Sequence, residues 1–280
     1  MNTALEEFRP SAVDEAAAAP SRLLLAAEAP RVVASIDAML MASPLLRCAP
    51  KGDGHPVLVL PGLMAGDLST LVLRRFLRKQ GFHPYRWHLG RNVGPTVAVR
   101  AALPAAIERI ARRNRSTVSV VGWSLGGIFA RDLAHRYPEH VRQVVTLASP
   151  YRMRRPGQSR ANNVFYRYSH LHVVEEEAEL RAAQITGYSA YPLPVPSTSI
   201  YSRMDGIVAW QHCIEPETEQ SENIRVRSSH LGIGFDPHVL WAIADRLAQP
   251  EGEWSPFAPP RLLAPLFPAP DNPHEDVLDE

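Results

Sequence analysis

One stretch constrains the fold more than any other: Thr117-Val118-Ser119-Val120-Val121-Gly122-Trp123-Ser124-Leu125-Gly126-Gly127. Its first five residues are mostly β-branched, the composition of a buried strand. Ile128 to Tyr137 then reads as a helix. A strand that becomes a helix within a few residues must bend sharply. The residue at the tip of such a bend sits in strained backbone geometry with its side chain pushed outward. Gly122 and Gly126 flank Ser124 because a Cβ at either place would clash across the bend. The plain alternative is a glycine-rich turn with a bystander serine. It needs no partner residues, whereas a working serine does, so the rest of the chain decides between them.

The chain around this stretch alternates. His55–Leu63 carries a continuous apolar run that fits a parallel strand covered on both faces. A helix is expected from about Leu68 to Lys79, with Gly81 as its stop, then a strand over Phe82–Leu89. The next helix is expected over Thr96–Arg113, with a kink or restart at Pro104. The 117–121 strand and its helix follow, then a strand over Val141–Ala148. Strand–helix alternation of this kind specifies a doubly wound, mostly parallel α/β sheet flanked by helices.

The rhythm breaks over 151–197, which holds Arg152, Arg154, Arg155 and Arg160, the aromatic cluster Phe165, Tyr166 and Tyr168, and a helix expected around Val174–Ile185. An insertion of this size reads as a small cap over the bend; the plain alternative is a decorated crossover. Strands at Ser197–Ser202 and Asn223–Ser229 and a last helix over Pro237–Ala248 resume the pattern. The division expected is a helical lead-in over 1–50, a main domain over 51–250 and a proline-rich acidic tail over 251–280. Within the lead-in, residues 21–43 read as two helices broken at Pro30, their apolar stripe packed on the body.

Composition narrows the partners. A net charge of +1 leaves no nucleic-acid footprint. No apolar run reaches the ~20 residues of a membrane span. The first ten residues show no basic or apolar leader, so a cytoplasmic location is expected. Cys48 and Cys213 are read as reduced thiols, and nothing in the spacing calls for a metal or cofactor. Oligomeric state is not legible.

A serine hydroxyl needs a base to take its proton, and the base needs a carboxylate to orient it. In doubly wound sheets the working edge is the carboxyl end of the strands. Asp205 follows the Ser197–Ser202 strand and His230 follows the Asn223–Ser229 strand, giving the order Ser124, Asp205, His230. The competitors have duller readings: Asp236 as a helix cap, His238 in the first turn of the last helix, His212 away from any strand end, and Asp132 pointing away. Backbone N–H groups for a developing oxyanion are expected from Leu125, at the helix start, and from Leu63, with Met64 the alternative.

These residues resemble the α/β-hydrolase superfamily, lipase/esterase type. Leu60-Pro61-Gly62-Leu63 matches its oxyanion loop, Gly122-Trp123-Ser124-Leu125-Gly126-Gly127 its nucleophile elbow, Tyr201–Gly206 its acid turn and Ser229–Gly232 its base turn. The resemblance covers about residues 55–248. Pro61-Gly62 stands where many members have His-Gly, and Trp123 where lipases often have His. The resemblance implies a serine carboxylester hydrolase working through an acyl-enzyme on a small-molecule ester. Leu63, Met64, Trp123, Leu125 and the aromatic cap would make an apolar acyl pocket for short-to-medium acyl or aryl chains. The alternatives are an acyltransferase, amidase or thioesterase with the same triad and, in another class, a non-catalytic binding module.

Overall fold

The computed structural model describes residues 17–153, 157–172, 192–216 and 218–271. Six strands form one all-parallel sheet: β1 (Pro56–Leu60), β2 (His83–Tyr85), β3 (Val118–Trp123), β4 (Val141–Leu147), β5 (Ser197–Tyr201) and β6 (Ser221–Arg225). The spatial order is β2-β1-β3-β4-β5-β6. After β2 the chain crosses back over β1 to start β3. The strand order therefore reverses beside β1, and doubly wound sheets open a crevice for ligands at that point.

Alternate residues of the strands feed two cores. Val57, Val59, Val121, Trp123, Val145 and Leu147 face one side. There they meet Leu73, Phe76 and Leu77 of α4 (Leu71–Lys79) and the apolar face of α8 (Pro237–Ala248). Leu58, Leu60, Val118, Val120 and Val144 face the other, against α5 (Val97–Asn114) and α6 (Leu125–Arg136). Both faces being covered explains why these strands are apolar throughout instead of alternating. In α6 the guanidinium of Arg131, wholly buried, meets Glu215 at 2.6 Å and lies 4.0 Å over the Tyr151 ring, tying this helix to the segment after β5.

Several boundaries differ from expectation, each for a visible reason. The second strand stops at Tyr85, short of Leu89, because the amides of Trp87 and His88 donate to the Asp67 carboxylate instead of to a neighbouring strand. The helix before that strand, α4, begins at Leu71 rather than Leu68; Ser69 and Thr70 turn their hydroxyls back to the carbonyls of Gly66 and Asp67. Helix α5 runs unbroken through Pro104, capped by Thr96, whose hydroxyl accepts from Val99 N–H. The last strand is Ser221–Arg225, earlier than expected.

The lead-in departs most. It forms α1 (Arg22–Ala26), α2 (Glu28–Met41) and α3 (Ser43–Leu46), with the break at Ala27 and Pro30 inside the first turn of α2, where a missing N–H costs little. Its apolar stripe is only partly core: Met39 of α2 packs half-buried on the core and Leu46 of α3 is buried in it. Leu23 and Met41 are 80% and 84% exposed, and the buried residues of α2 are Glu28 and Ser35.

The described part of the cap holds α7 (Asn162–Arg167); the helix expected around Val174–Ile185 lies outside the described residues. Beyond α8 the chain is laid over the surface as far as Asp271. Leu263 is buried, Phe257 and Phe267 pack on the core, and the Asp271 carboxylate bonds Arg203, Arg225 and the Tyr201 hydroxyl. Cys48 is exposed and Cys213 buried, and both are free thiols.

Candidate active site

The reversal between β1 and β3 carries the strained residues. Ser124 has φ 53° and ψ −120°, a combination that non-glycine residues rarely adopt and that persists only when the surroundings enforce it. Two hydrogen bonds do so: Ser124 N–H donates to Leu147 O of β4 at 2.8 Å, and Gly127 N–H donates to Ser124 O at 2.9 Å. Across the reversal, Met64 has φ 61°. Asn92 braces that loop from behind. Its side-chain amide donates to Pro61 O at 2.8 Å, and its backbone carbonyl accepts from Met64 N–H at 2.7 Å.

A cavity of about 420 Å³ opens here, within the range of small-molecule sites. Ser124, His230, Leu63, Met64 and Trp123 all line it. Leu125 does not; its side chain belongs to the core on the α5 side of the sheet. Among the described residues of the cap, Arg160, Ala161 and Val164 line the cavity, and Phe165, Tyr166 and Tyr168 do not. Of the remaining walls, Leu25, Ser69, Ile207, Leu231 and Phe235 went unread in the sequence, Leu25 because it lies in the lead-in, far from the motifs.

Asp205 and His230 come together at this cavity. Asp205 is buried in the turn after β5. Its Oδ1 accepts from the amides of Ile207 and Val208 at 2.7 and 2.8 Å, and its Oδ2 lies 2.7 Å from His230 Nδ1. One carboxylate oxygen is thus spent on holding the turn and the other on the imidazole. A carboxylate can only accept, so Nδ1 carries the proton and Nε2 keeps its lone pair. Burial disfavours a charged imidazole, but the nearby Asp205 charge, the hydrogen bond to it and the Glu28 charge outweigh burial, so the His230 pKa is raised above its ordinary 6.5. Trp123 Nε1–H donates to His230 O at 3.1 Å, joining the elbow to the base turn.

The competing residues are occupied as expected. Asp236 caps α8, accepting from His238 N–H at 2.9 Å, and Asp132 pairs with Arg136 at 2.8 Å. A hydrogen-bonded serine–histidine–aspartate chain elsewhere went unread: Ser119 Oγ lies 2.9 Å from His55 Nε2, and His55 Nδ1 lies 2.5 Å from Asp53. It sits at the opposite, amino end of β1 and β3, and Ser119 is wholly buried, so no substrate reaches that hydroxyl. Sequence reasoning also missed Glu28, whose buried carboxylate accepts from the amides of Gly206, His230 and Leu231.

Among the described residues, no group of three or more His, Cys, Asp or Glu side chains could hold a metal ion, and no helix is long and apolar enough to cross a membrane.

This sheet, with a strained serine at its reversal, is the α/β-hydrolase fold, in keeping with one family model and one solved structure. The family model described as "alpha/beta hydrolase fold" matches residues 101–184. Among solved structures, Aspergillus fumigatus lipase B superposes with a TM-score of 0.53 at 17% identity, over 70% of this chain and 53% of that one. The chain therefore spans about half the length of that lipase. Paleococcus ferrophilus monoacylglycerol lipase gives 0.49 at 15% identity, over 71% and 96% of the two chains. A pyrethroid hydrolase from Sphingobium faniae gives 0.47 at 16%, over 70% and 98%. No curated protein sequence matches the chain.

Proposed function

We propose that the protein is a serine carboxylester hydrolase with Ser124, His230 and Asp205 as its triad. The observation that carries this reading is the Asp205–His230 pair. It is buried, 2.7 Å long and fixed in one tautomer, and its His230 lines the same cavity as a serine at φ 53°.

In this reading Ser124 Oγ attacks the ester carbonyl while His230 Nε2 takes the hydroxyl proton. The Asp205 carboxylate stabilises the resulting imidazolium. His230 then returns the proton to the leaving alcohol, and the acyl group remains on Ser124. Water, deprotonated by the same imidazole, releases the acid and restores the serine. The oxyanion of each tetrahedral intermediate takes backbone N–H bonds from Leu125, which opens α6, and from Leu63. Leu63 is preferred to Met64 because the Met64 amide already donates to Asn92 O. The apolar walls around Met64, Trp123, Ile207 and Phe235 suit a short-to-medium acyl or aryl group, and Arg160, Ala161 and Val164 carry the cap's contribution to the cavity.

A panel of p-nitrophenyl esters of increasing acyl length, with added alcohol or amine as competitor for water, tests this. Hydrolysis of the short and medium esters is expected, with loss of activity in Ser124→Ala. Predominant transfer to the added nucleophile would convert the reading to an acyltransferase. Full activity in Ser124→Ala would exclude the triad altogether.

A further inference from the structure

Glu28 is the first residue of α2 and 3% exposed. A glutamate at a helix start ordinarily serves its own helix, through the dipole or a capping box. This one reaches outward instead. Its Oε1 accepts from Gly206 N–H at 2.8 Å and from His230 N–H at 2.9 Å, and its Oε2 accepts from Leu231 N–H at 2.8 Å. The first amide belongs to the residue after Asp205, the second to His230 itself and the third to the residue after it. A buried carboxylate is costly unless hydrogen bonds compensate it, and charge-assisted bonds to amides are the strong kind.

The sheet does not do this work. The β5–β6 pairing ends at Tyr201 and Arg225, and one further bond joins Val226 N–H to Tyr201 O. Asp205 and His230 lie four and five residues past those last paired residues. A second bond from α2 falls on the same acid turn: Arg31 Nη1 donates to Met204 O at 2.8 Å.

We propose that Glu28 is a positioning residue for the triad, its carboxylate clamping the Asp205 turn to the His230 turn so that the imidazole is held at the cavity. The lead-in is then part of the active-site machinery, not an appendage. This rests on the serine hydrolase reading for its catalytic meaning. The charged groups that face His230 are Asp205 from the acid turn and Glu28 from α2; Arg31 lies one step away on Met204 O, and Arg160 is on the cavity wall. The Glu28 charge favours the imidazolium, so its removal lowers the pH at which His230 becomes neutral.

The test uses Glu28→Gln and Glu28→Asp in the full chain, with active sites counted by a fluorophosphonate and turnover measured on p-nitrophenyl butyrate. Glu28→Gln is expected to lower kcat per labelled site roughly 10–100-fold with little change in KM. It is also expected to move the acid limb of the kcat/KM profile downward. Glu28→Asp, which keeps the charge on a shorter stem, is expected to restore the limb more than the rate, and it stands in if the glutamine variant does not fold. An unchanged kcat per site and an unmoved limb, even with a lower melting temperature, would reduce Glu28 to a structural anchor and overturn the proposal. Failure of the hydrolase reading is distinguishable, because a wild type that the fluorophosphonate does not label overturns that reading alone. The titration of 15N-labelled His230 by NMR, in a Ser124→Ala background with and without Glu28→Gln, still decides the clamp. A midpoint lowered by the glutamine supports it and an unchanged one overturns it.

Discussion

Replacing Gly126 by alanine drives a methyl carbon into the backbone of β1 and the loop behind it. A Cβ built at Gly126 lies 2.4 Å from Leu60 O and 2.7 Å from Pro61 O, whereas non-bonded heavy atoms rest at about 3.5 Å. The deficit of about 1 Å is against main chain, which cannot rotate away, so α6 or β1 must move. Overpacking of this kind costs about 1–3 kcal/mol. Alanine's better helix propensity returns up to about 1 kcal/mol, less in a first turn. The net loss expected is about 1–2 kcal/mol, and a domain of this size loses about 2–4 °C for each kcal/mol. Gly62→Ala is the contrasting change. Its Cβ would stand 3.3 Å from Ser124 Cβ and 3.9 Å from Ser124 Oγ, a contact that yields by a few tenths of an ångström. Stability should stay within about 0.5 kcal/mol while ester turnover falls, because the new methyl crowds the serine. Thermal melts and ester kinetics on both variants read the two effects separately. A Gly126→Ala protein as stable as wild type, or a Gly62→Ala protein less stable than Gly126→Ala, would refute the close-packing account of the elbow.

Two further outcomes follow from charges. Asp205→Asn keeps the shape of the pair but leaves His230 with the wrong tautomer, so kcat should fall by about three to four orders of magnitude; a loss under tenfold would remove Asp205 from the triad. In the wild type, kcat/KM should fall on acidification with a midpoint above pH 6.5, since His230 must be neutral to accept the serine proton and its pKa is raised. His55 shifts the other way. Burial, with the Arg142 charge, outweighs Asp53 and lowers its pKa from 6.5, so the folded state binds fewer protons than the unfolded one in the window below that value. Its contribution to stability is present above pH 6.5 and is lost as pH falls through the window down to its lower folded pKa. Urea midpoints of wild type and His55→Gln between pH 5 and 7.5 should therefore converge toward the acid end; parallel curves would contradict this.

How legible these features were depended on what kind of partner each residue uses. Residues 57–60, 118–121 and 144–147 face helices on both sides, so their apolar runs announced a parallel sheet. The elbow was equally visible, because Gly122 and Gly126 leave no room for a side chain. Asp205 and His230 could be picked out because the fold puts such residues just after strands. The strand end at Tyr85 was not legible: the Asp67 carboxylate that captures the next amides lies in a loop some twenty residues away. The lead-in misled most. Its apolar letters read as core, yet only some of them pack there: Met39 lies half-buried on the core, Leu23 and Met41 stay in solvent, and the residues that α2 buries fully are Glu28 and Ser35. Glu28 had no sequence signature because its partners are backbone amides 178 to 203 residues distant, and an amide carries no residue type. The cavity walls at Leu25, Ile207 and Phe235 were hidden for the same reason: they are ordinary apolar residues whose meaning comes from where the chain returns.

The central claim is that Ser124 is the nucleophile, and covalent labelling tests it most directly. The folded protein is treated with a fluorophosphonate at pH 8, weighed intact and mapped by peptide mass. One adduct per chain is predicted, on the peptide containing Ser124, with none in Ser124→Ala and slowed formation in Asp205→Asn. A folded wild type that takes up no label, or an adduct that persists in Ser124→Ala, would contradict it.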